Sequence, residues 1–304
     1  MILRNTLLYL SRQAWLRAWA EDSQIGQKLT GRFVAGKTLE DGLAACARLN
    51  AENILATLDH LGENIRSIDE GAHTRDAYLA ALREIGRRGI QATVSIKLSH
   101  FGLGFSEDAC LGYVDAVMAA AKEHRNSVEV DMESREYVDR TLQAVTGFHD
   151  RYGCVRAVIQ AYLRRSEDDI RMLCRKGIPV RLCKGAYKEP PAVAFPSKRE
   201  VDANYLRLAN VLLRHGRIPA MATHDEKIIG QVIDAVRRDG LAPDQLEFQM
   251  LYGIRKSLQR DLVRQGFRVR LYVPYGVAWY PYFMRRLAER PANLLFLLKN
   301  LVRQ

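Results

Sequence analysis

Apolar and polar positions form two kinds of block along the chain. From about residue 52 onward, short runs rich in Val, Ile, Leu and Ala alternate with longer stretches of helical periodicity. The short runs have the length and continuity of strands that are buried on both faces. Eight such runs lie at residues 53–58, 92–98, 128–132, 155–160, 180–183, 220–223, 246–250 and 269–273. They predict eight parallel strands.

The stretches between these runs carry signals of helix ends. Four contain a hydroxyl residue followed by an acidic residue, a pattern typical of helix N-termini: Thr74, Ser106, Ser134 and Ser166. Six end near a glycine: Gly89, Gly153, Gly177, Gly216, Gly240 and Gly266. Eight strands alternating with helices predict an α/β fold, a (β/α)8 barrel of the TIM type. A doubly wound open sheet remains the alternative, because periodicity alone does not distinguish the two.

The first fifty residues have the pattern of two helices outside this repeat. We expect residues 1–50 to form an N-terminal helical extension and residues 51–304 to form the barrel. No linker divides the chain, so we expect a single domain overall. Residues 1–20 are not typical of a secretory leader, since Arg12 and Arg17 interrupt the apolar stretch. Leu3, Leu7 and Leu10 fall at helical spacing and predict an amphipathic packing helix.

Charge and cysteine content limit the functional classes. The formal net charge is +11, but the basic residues are spread through predicted helices and no nucleic-acid-binding motif is present, so we expect no nucleic-acid partner. Five cysteines without paired spacing predict no metal site and reduced, mostly buried thiols, which favours a cytoplasmic location. The basic balance is compatible with peripheral contact at the inner face of the cell membrane. No apolar run reaches the length of a membrane span.

Polar residues interrupt the predicted strands near their C-terminal ends. Active sites of (β/α)8 barrels lie at that end, and the barrel interior is ordinarily filled by Val, Ile and Leu. The interrupting residues are Asp59, Glu63, Lys97, Asp131, Gln160, Arg181, Lys184, Tyr187, Thr223, His224, Gln249 and Tyr272. Lys97, Arg181, Lys184 and His224 indicate an excess of cations and hydrogen-bond donors, which suits an anionic ligand such as a pyrophosphate or a carboxylate.

Known phosphate and metal motifs do not account for these residues. The nearest approach to a dinucleotide fingerprint, at Gly102 and Gly104, has Glu107 where the third glycine belongs. The chain contains no P-loop and no HExxH segment. The sequence therefore argues against a Rossmann nucleotide site, a P-loop enzyme and a zinc protease.

Residues 279–290, WYPYFMRRLAER, predict an unusual C-terminal helix. On a helix, Tyr282, Arg285, Arg286 and Glu289 lie on one face. Two arginines beside a tyrosine form a fork that suits a carboxylate. The alternative interpretation is a solvated basic helix stabilised by an Arg285–Glu289 pair, since charged runs usually face solvent.

This segment resembles the YxxxRRxxER helix of the proline dehydrogenase family. Residues 181–187 (RLCKGAY), 222–225 (ATHD), 248–253 (FQMLYG) and 270–276 (RLYVPYG) are also similar to the strand ends of that family, in the same order. The resemblance extends over about residues 33–295, and the length is similar to the bacterial monofunctional type. It implies FAD-dependent oxidation of L-proline to Δ1-pyrroline-5-carboxylate, the first step of proline catabolism to glutamate. It also implies hydride transfer from proline C5 to FAD N5, a membrane quinone as electron acceptor, and a last helix over the barrel mouth.

The resemblance implies a role for individual residues. Arg285, Arg286 and Lys97 would hold the proline carboxylate, Tyr272 and Leu251 would pack against the ring, and Asp131 and Tyr187 would complete the pocket. The residues implied to hold FAD are Asp131, Gln160, Arg181, Lys184, Gly185, Ala186, Tyr187, Thr223, His224, Gln249, Arg286 and Glu289. Glu63 would belong to a lid.

Two positions depart from the family pattern. Cys183 stands where Val is usual, at a position expected to be buried, and Asp225 stands where Asn is commoner. We expect the first to be a tolerated exchange and the second to alter hydrogen bonding to FAD slightly.

Two other functions compete with this one. A class I aldolase-like barrel would form a Schiff base on Lys97 or Lys184, which requires a lysine of lowered pKa. A basic lipid- or nucleic-acid-binding protein without catalysis would bind through its surface charge, and such binding weakens as salt rises.

Overall fold

The computed structural model describes residues 31–62, 65, 67–280, 282 and 284. Within these residues eight parallel strands form a closed barrel, in which each strand pairs with the next and the eighth pairs with the first. The strands are β1 (Leu55–His60), β2 (Ala92–Ile96), β3 (Val128–Val130), β4 (Val155–Gln160), β5 (Val180–Cys183), β6 (Ala220–Ala222), β7 (Glu247–Leu251) and β8 (Arg268–Tyr275). All eight predicted strands are confirmed. The β1–β8 pairing, which joins Leu55 to Arg270 and His60 to Tyr275, excludes the doubly wound open sheet.

Helices cover the outside of the barrel. The α-helices are α1 (Leu39–Asn50), α2 (Ile68–Arg88), α3 (Glu107–Glu123), α4 (Val138–Tyr152), α5 (Ser166–Arg175), α6 (Lys198–His215), α7 (Glu226–Arg238) and α8 (Lys256–Arg264). Three short 3-10 turns lie at Leu98–Phe101, Arg135–Tyr137 and Pro243–Gln245. No described helix is both long and apolar enough to cross a membrane.

Two of the predicted helix starts are wrong. Helix α2 begins at Ile68, after Ser67, so Thr74 lies inside it and its hydroxyl donates to the Glu70 carbonyl oxygen (3.1 Å). After Ser134 the chain first forms a 3-10 turn, and α4 begins at Val138. Ser106 does cap α3, accepting from the Ala109 N–H (3.3 Å). A hydroxyl–acid pair thus identifies the neighbourhood of a helix start better than the residue at which it begins.

Helix α1 covers the seam where the barrel closes. It packs against both β1 and β8, and at Gly42 a Cβ atom would lie 3.1 Å from Leu58 and 3.2 Å from Tyr275. Thr38 caps this helix in a reciprocal arrangement with Asp41. The predicted helix in residues 1–20 and the predicted last helix lie largely outside the described residues.

The two faces of the sheet differ in polarity. Alternate residues of each strand, such as Val94, Val130 and Leu182, are buried against the helices. Most of the intervening residues are charged or polar and bond across the barrel, whereas Val158 on β4 and Ala220 on β6, both in register with Arg181, are apolar. Arg156 on β4 donates to Glu247 on β7 (2.9 Å), and because these strands are not neighbours the contact crosses the barrel interior. The interior is therefore an ionic core, unlike the aliphatic filling usual for this fold.

Candidate active site at the carboxyl ends of the strands

A lower network of ionic groups fills the middle of the barrel. Its members are Thr57, Thr93, Glu129, Arg156, Glu247, Gln249 and Arg270. Glu247 is fully buried and accepts from Arg156, from Arg270 (2.9 Å each) and from the Gln249 amide (2.8 Å). Burial alone would raise the pKa of Glu247, but Arg270 and Arg156 lower it to about 2. Glu247 is therefore ionised, with all three donors on Oε1.

A mouth cluster lies above this network, where the strands end. It consists of Asp59, Ser95, Lys97, Asp131, Arg181 and Tyr272. Asp131, directly after β3, is the centre of the cluster: its Oδ2 accepts from the Tyr272 hydroxyl (2.9 Å) and lies 3.3 Å from Lys97 Nζ. Its Oδ1 accepts from the Ser95 hydroxyl (3.0 Å) and pairs with Arg181. Burial opposes its charge, yet Arg181 and Lys97 hold the pKa of Asp131 below its usual value.

Lys97 is held by carboxylates and a phenol. Its Nζ lies 3.3 Å from Asp59 Oδ1 and donates to the Tyr272 hydroxyl at 3.2 Å. Burial would lower the pKa of Lys97, but Asp59 and Asp131 raise it well above the ordinary value. Asp59 itself is only 1% exposed, and burial raises the pKa of its carboxyl group. Lys97 is therefore a stable cation, the opposite of what a Schiff-base lysine requires.

Arg181 connects the two layers. It extends inward from β5, is 5% exposed, and donates through Nη2 to the Ser95 hydroxyl (3.0 Å). Its Nη1 lies 2.5 Å from Glu129 Oε2 in the lower network. One guanidinium group is thus shared between a carboxylate of each layer, Asp131 above and Glu129 below.

The ends of β4, β6 and β7 bring further polar groups to the same edge of the barrel. Gln160 donates to the Glu133 carbonyl oxygen (2.9 Å), and the Thr223 hydroxyl accepts from the Asp225 N–H (3.1 Å). His224 Nε2 accepts from the Leu251 N–H (2.8 Å).

The segment after β5 reaches the surface beside these residues. Gly185 has a φ of 106°, and a Cβ atom there would lie 2.2 Å from the Tyr162 ring, so the turn requires glycine. Ala186 and Tyr187 are exposed, Tyr187 at 42%. An exposed aromatic next to a tight backbone turn is a feature of ligand-binding loops rather than of packing.

Lys184 belongs to a separate lysine cluster with Lys198, Asp202 and Asp225. Its Nζ lies 2.5 Å from Asp202 Oδ1 and 3.0 Å from Asp225 Oδ2. Asp225 also caps α7 by accepting from the Lys227 N–H (3.2 Å). Partial burial opposes its charge, but Lys184 and Lys198 lower the pKa of Asp225 to about 2.

The predicted excess of cations is wrong for these described residues. The mouth cluster contains Lys97 and Arg181 against Asp59 and Asp131, and the lysine cluster contains two lysines against two aspartates. The sequence reveals cations at strand ends. It does not show that Asp202, on helix α6, folds back onto one of them, Lys184.

The predicted burial of the thiols is correct in part. Cys46 and Cys110 are buried, whereas Cys154, Cys174 and Cys183 are partly exposed. Cys183 lies two residues after Arg181 on the same face of β5, so it faces the barrel mouth. Burial by its neighbours nevertheless raises the pKa of its thiol to about 11, which keeps it protonated at neutral pH.

Several predicted site residues lie outside the described residues: Glu63, Arg285, Arg286 and Glu289. Tyr282, on the same predicted face as the two arginines, is described and is 6% exposed. A solvated basic helix would not bury that residue, so this burial favours the docked alternative for the start of the segment.

Sequence reasoning missed the charged residues inside the strands. Ser95, Glu129, Arg156, Glu247 and Arg270 are all nearly buried and all face the interior. The signal was present in part: in EFQML and RVRLYV polar residues recur at every second position, and VEV and VRAVIQ each place a charged residue second in a strand that the fold buries on both faces.

A closed parallel barrel whose ionisable side chains meet at the carboxyl ends of its strands defines a (β/α)8-barrel enzyme. The sequence profile of the proline dehydrogenase family matches residues 43–299. The chain is 38% identical to proline dehydrogenase 1 of Bacillus subtilis over the full length of both, and 41% identical to the proline dehydrogenase of Deinococcus radiodurans over 90% of each. The chain belongs to the proline dehydrogenase family, whose members are oxidoreductases acting on CH–NH donors.

Solved structures agree on the fold. The crystal structure of proline utilization A from Bdellovibrio bacteriovorus inactivated by N-propargylglycine superimposes with a TM-score of 0.79 at 25% identity. The match covers 86% of this chain and 32% of that protein. This chain therefore spans about a third of the longer protein.

Proposed function

We propose that this chain oxidises L-proline to Δ1-pyrroline-5-carboxylate with bound FAD as the oxidant. The observation that carries the proposal is the mouth cluster, in which Lys97, Asp131 and Tyr272 meet at the carboxyl end of the barrel. Leu251 is paired directly with Tyr272 across β7 and β8. A leucine and a tyrosine side by side offer an apolar wall of the size of a pyrrolidine ring.

The substrate's two charged groups need different partners. Asp131 is 15% exposed and suits the amine, as an acceptor that is already oriented by Tyr272. The carboxylate needs cationic partners, and we assign it to Arg285 and Arg286, with Lys97 as a third partner. Tyr187 completes the pocket from the loop after β5.

The chemical groups at the ends of strands β4 to β7 are suited to binding FAD. The described residues that we assign to FAD lie on or near the carboxyl edge of the barrel. They are Asp131, Gln160, Arg181, Lys184, Gly185, Ala186, Tyr187, Thr223, His224 and Gln249. We assign Arg286 and Glu289 to FAD as well. The Gly185 turn exposes backbone, Tyr187 offers an aromatic surface, and Lys184 offers a cation to a diphosphate. When bound, FAD supplies at N5 the acceptor for the hydride that leaves proline C5.

The remaining parts of the proposal concern the setting of the reaction. We propose that the electrons pass to a membrane quinone and that the protein works in the cytoplasm, in peripheral contact with the inner face of the cell membrane. The net charge of +11 supports attraction to an anionic surface. We also propose residue 50 as the boundary between an N-terminal extension and the barrel.

The visible spectrum of the purified protein tests this function. We expect the absorption of an oxidised flavin, bleached under anaerobic conditions by L-proline and not by D-proline. A colourless protein after reconstitution with FAD, or a flavin that L-proline does not bleach, would contradict the proposal.

Borohydride trapping separates the aldolase-like alternative from this one. The raised pKa of Lys97 argues against a Schiff base there. We expect no covalent adduct when the protein is treated with a carbonyl substrate and borohydride. An adduct on Lys97 or Lys184 would favour the aldolase reading.

A further inference from the structure

We propose that Glu129, inside strand β3 and below the mouth, is the positioning residue of Arg181 and sets how much positive charge Arg181 presents to the cofactor. The inference rests on the proposed function, since it takes Arg181 as one of the residues that hold FAD. It assigns a role to the lower network, which the reaction itself does not require.

Glu129, Arg181 and Gln249 form a closed triangle across the barrel. Glu129 Oε2 lies 2.5 Å from Arg181 Nη1, and the Gln249 amide donates to Glu129 Oε1 at 3.1 Å. The triangle closes because Arg181 Nη1 also donates to Gln249 Oε1 at 3.2 Å. The three side chains come from β3, β5 and β7 and are 1%, 5% and 4% exposed. A buried guanidinium group held from three directions has little freedom to move.

The positive charge of Arg181 is balanced more by Glu129 than by its other carboxylate partner, Asp131. Asp131, on the opposite side of the guanidinium group, is shared with Lys97 and with the Tyr272 hydroxyl. Glu129 lies 3.7 Å from Arg156 and 4.0 Å from Arg270. Both arginines lie closer to Glu247, at 2.9 Å, so Glu247 is their main partner. Without the Glu129 charge, Arg181 would be balanced only by the part of the Asp131 charge that Lys97 does not use. More of the positive field of Arg181 would then reach the barrel mouth.

Glu247 provides a matched control. It is as deeply buried as Glu129, belongs to the same network and also accepts from Gln249. Its ion pairs, however, are with Arg156, Arg270 and Arg268, and among the described residues it forms no ion pair with Arg181. Both E129Q and E247Q remove one buried negative charge at constant volume, so both are expected to lower the melting temperature.

Only E129Q is expected to change the redox equilibrium of the bound flavin. An uncompensated cation near the isoalloxazine favours the more negative, reduced cofactor. We expect the reduced-to-oxidised ratio of bound flavin at a fixed solution potential to rise about tenfold in E129Q, or about 1.4 kcal/mol, and to stay unchanged in E247Q. The measurement is a dye-coupled spectroscopic redox titration of each holoenzyme. A conservative variant, E129D, keeps the charge but moves it away from Arg181, so we expect a smaller shift in the same direction.

The outcomes are distinct. A shift in E129Q alone supports the positioning role. Equal shifts in both variants, or no shift in either, overturn it, because a purely structural network would change stability without distinguishing the two glutamates. Should E129Q fail to fold, E129D decides, with a smaller shift in the same direction expected and an unchanged ratio overturning the proposal. A wild-type protein that binds no flavin contradicts the proposed function instead.

Discussion

The lower network and the mouth cluster are built from the same kinds of group, and they differ in access to solvent. In the lower network the carboxylates of Glu129 and Glu247 are at most 1% exposed. In the mouth cluster Asp131 is 15% and Lys97 is 21% exposed at the side chain. Each group contains two acidic and two basic residues when Arg181 is counted as a member of the mouth cluster. The difference shows that charge inside the barrel does not by itself identify a binding site, whereas charge that solvent can reach offers a ligand something to contact.

This balance has a consequence for substrate binding. A carboxylate brought to the mouth meets Lys97 and Arg181 with their own acidic partners already in place. Attraction to a paired cation is weaker than attraction to a free one, because the partner's field opposes it. This weaker attraction supports the proposal that the carboxylate is held mainly by the two arginines of the final helix.

The largest expected effect comes from breaking the lower network. Changing Glu247 to Gln leaves Arg156 and Arg270 buried with only Glu129 nearby. Removing one partner of a buried ion pair typically costs about 3–5 kcal/mol, because the other charge stays desolvated. We expect a loss of that size in the free energy of unfolding, measured by denaturant titration monitored by circular dichroism.

A surface pair provides the contrast. Changing Glu52 to Gln removes the partner of Arg260, which is 57% exposed, and we expect no measurable change in stability because solvent screens such pairs. If E247Q were as stable as E52Q, the lower network would not be a stabilising ionic core.

The second effect concerns acid stability. The pKa of Glu247 in the folded protein, about 2, lies below its ordinary value of 4.5. Its contribution to stability is therefore present above about pH 4.5 and is lost as the pH falls towards about 2. We expect the stability difference between wild type and E247Q to shrink over that range, measured by thermal melts at stepped pH. A difference independent of pH would contradict the assigned charge state.

Most of the fold could be predicted from the sequence. The strands follow from continuous apolar runs such as residues 155–160 and 180–183, whose bounds the structure reproduces. Barrel closure was predicted from the number of alternating strands and helices, but periodicity alone left the open sheet possible, because closure depends on β1 meeting β8 about two hundred residues away. Helix starts failed at Thr74 and Ser134, because the same hydroxyl–acid pattern also occurs inside a helix and before a 3-10 turn.

The candidate site was predictable residue by residue but not as an arrangement. Lys97, Asp131 and Tyr272 come from three strands, and the structure brings them together as parallel-strand geometry requires. The charge balance was not predictable, because Asp202 reaches Lys184 from helix α6 and Glu129 reaches Arg181 from within a strand.

A smaller effect is expected at the lysine cluster. Changing Asp225 to Asn removes one of the two carboxylates on Lys184 but preserves the cap of α7, because Asn caps helices as well as Asp does. We expect FAD to bind the apoprotein a few-fold more tightly, within the range of about 0.2–1 kcal/mol typical of exposed pairs. Fluorescence titration of FAD measures this. Weaker binding in D225N would mean that Asp225 itself helps to hold the cofactor.

The most direct test of the account compares the KM for L-proline in R285M, R286M and K97M, each checked for flavin content by its visible spectrum. We predict that R285M and R286M raise the KM about 100-fold, as expected for a lost charge-assisted hydrogen bond of about 3 kcal/mol. K97M should raise it about tenfold or less, because Asp59 and Asp131 already share the charge of Lys97. An unchanged KM in both arginine variants, or a larger rise in K97M than in either of them, would contradict the account.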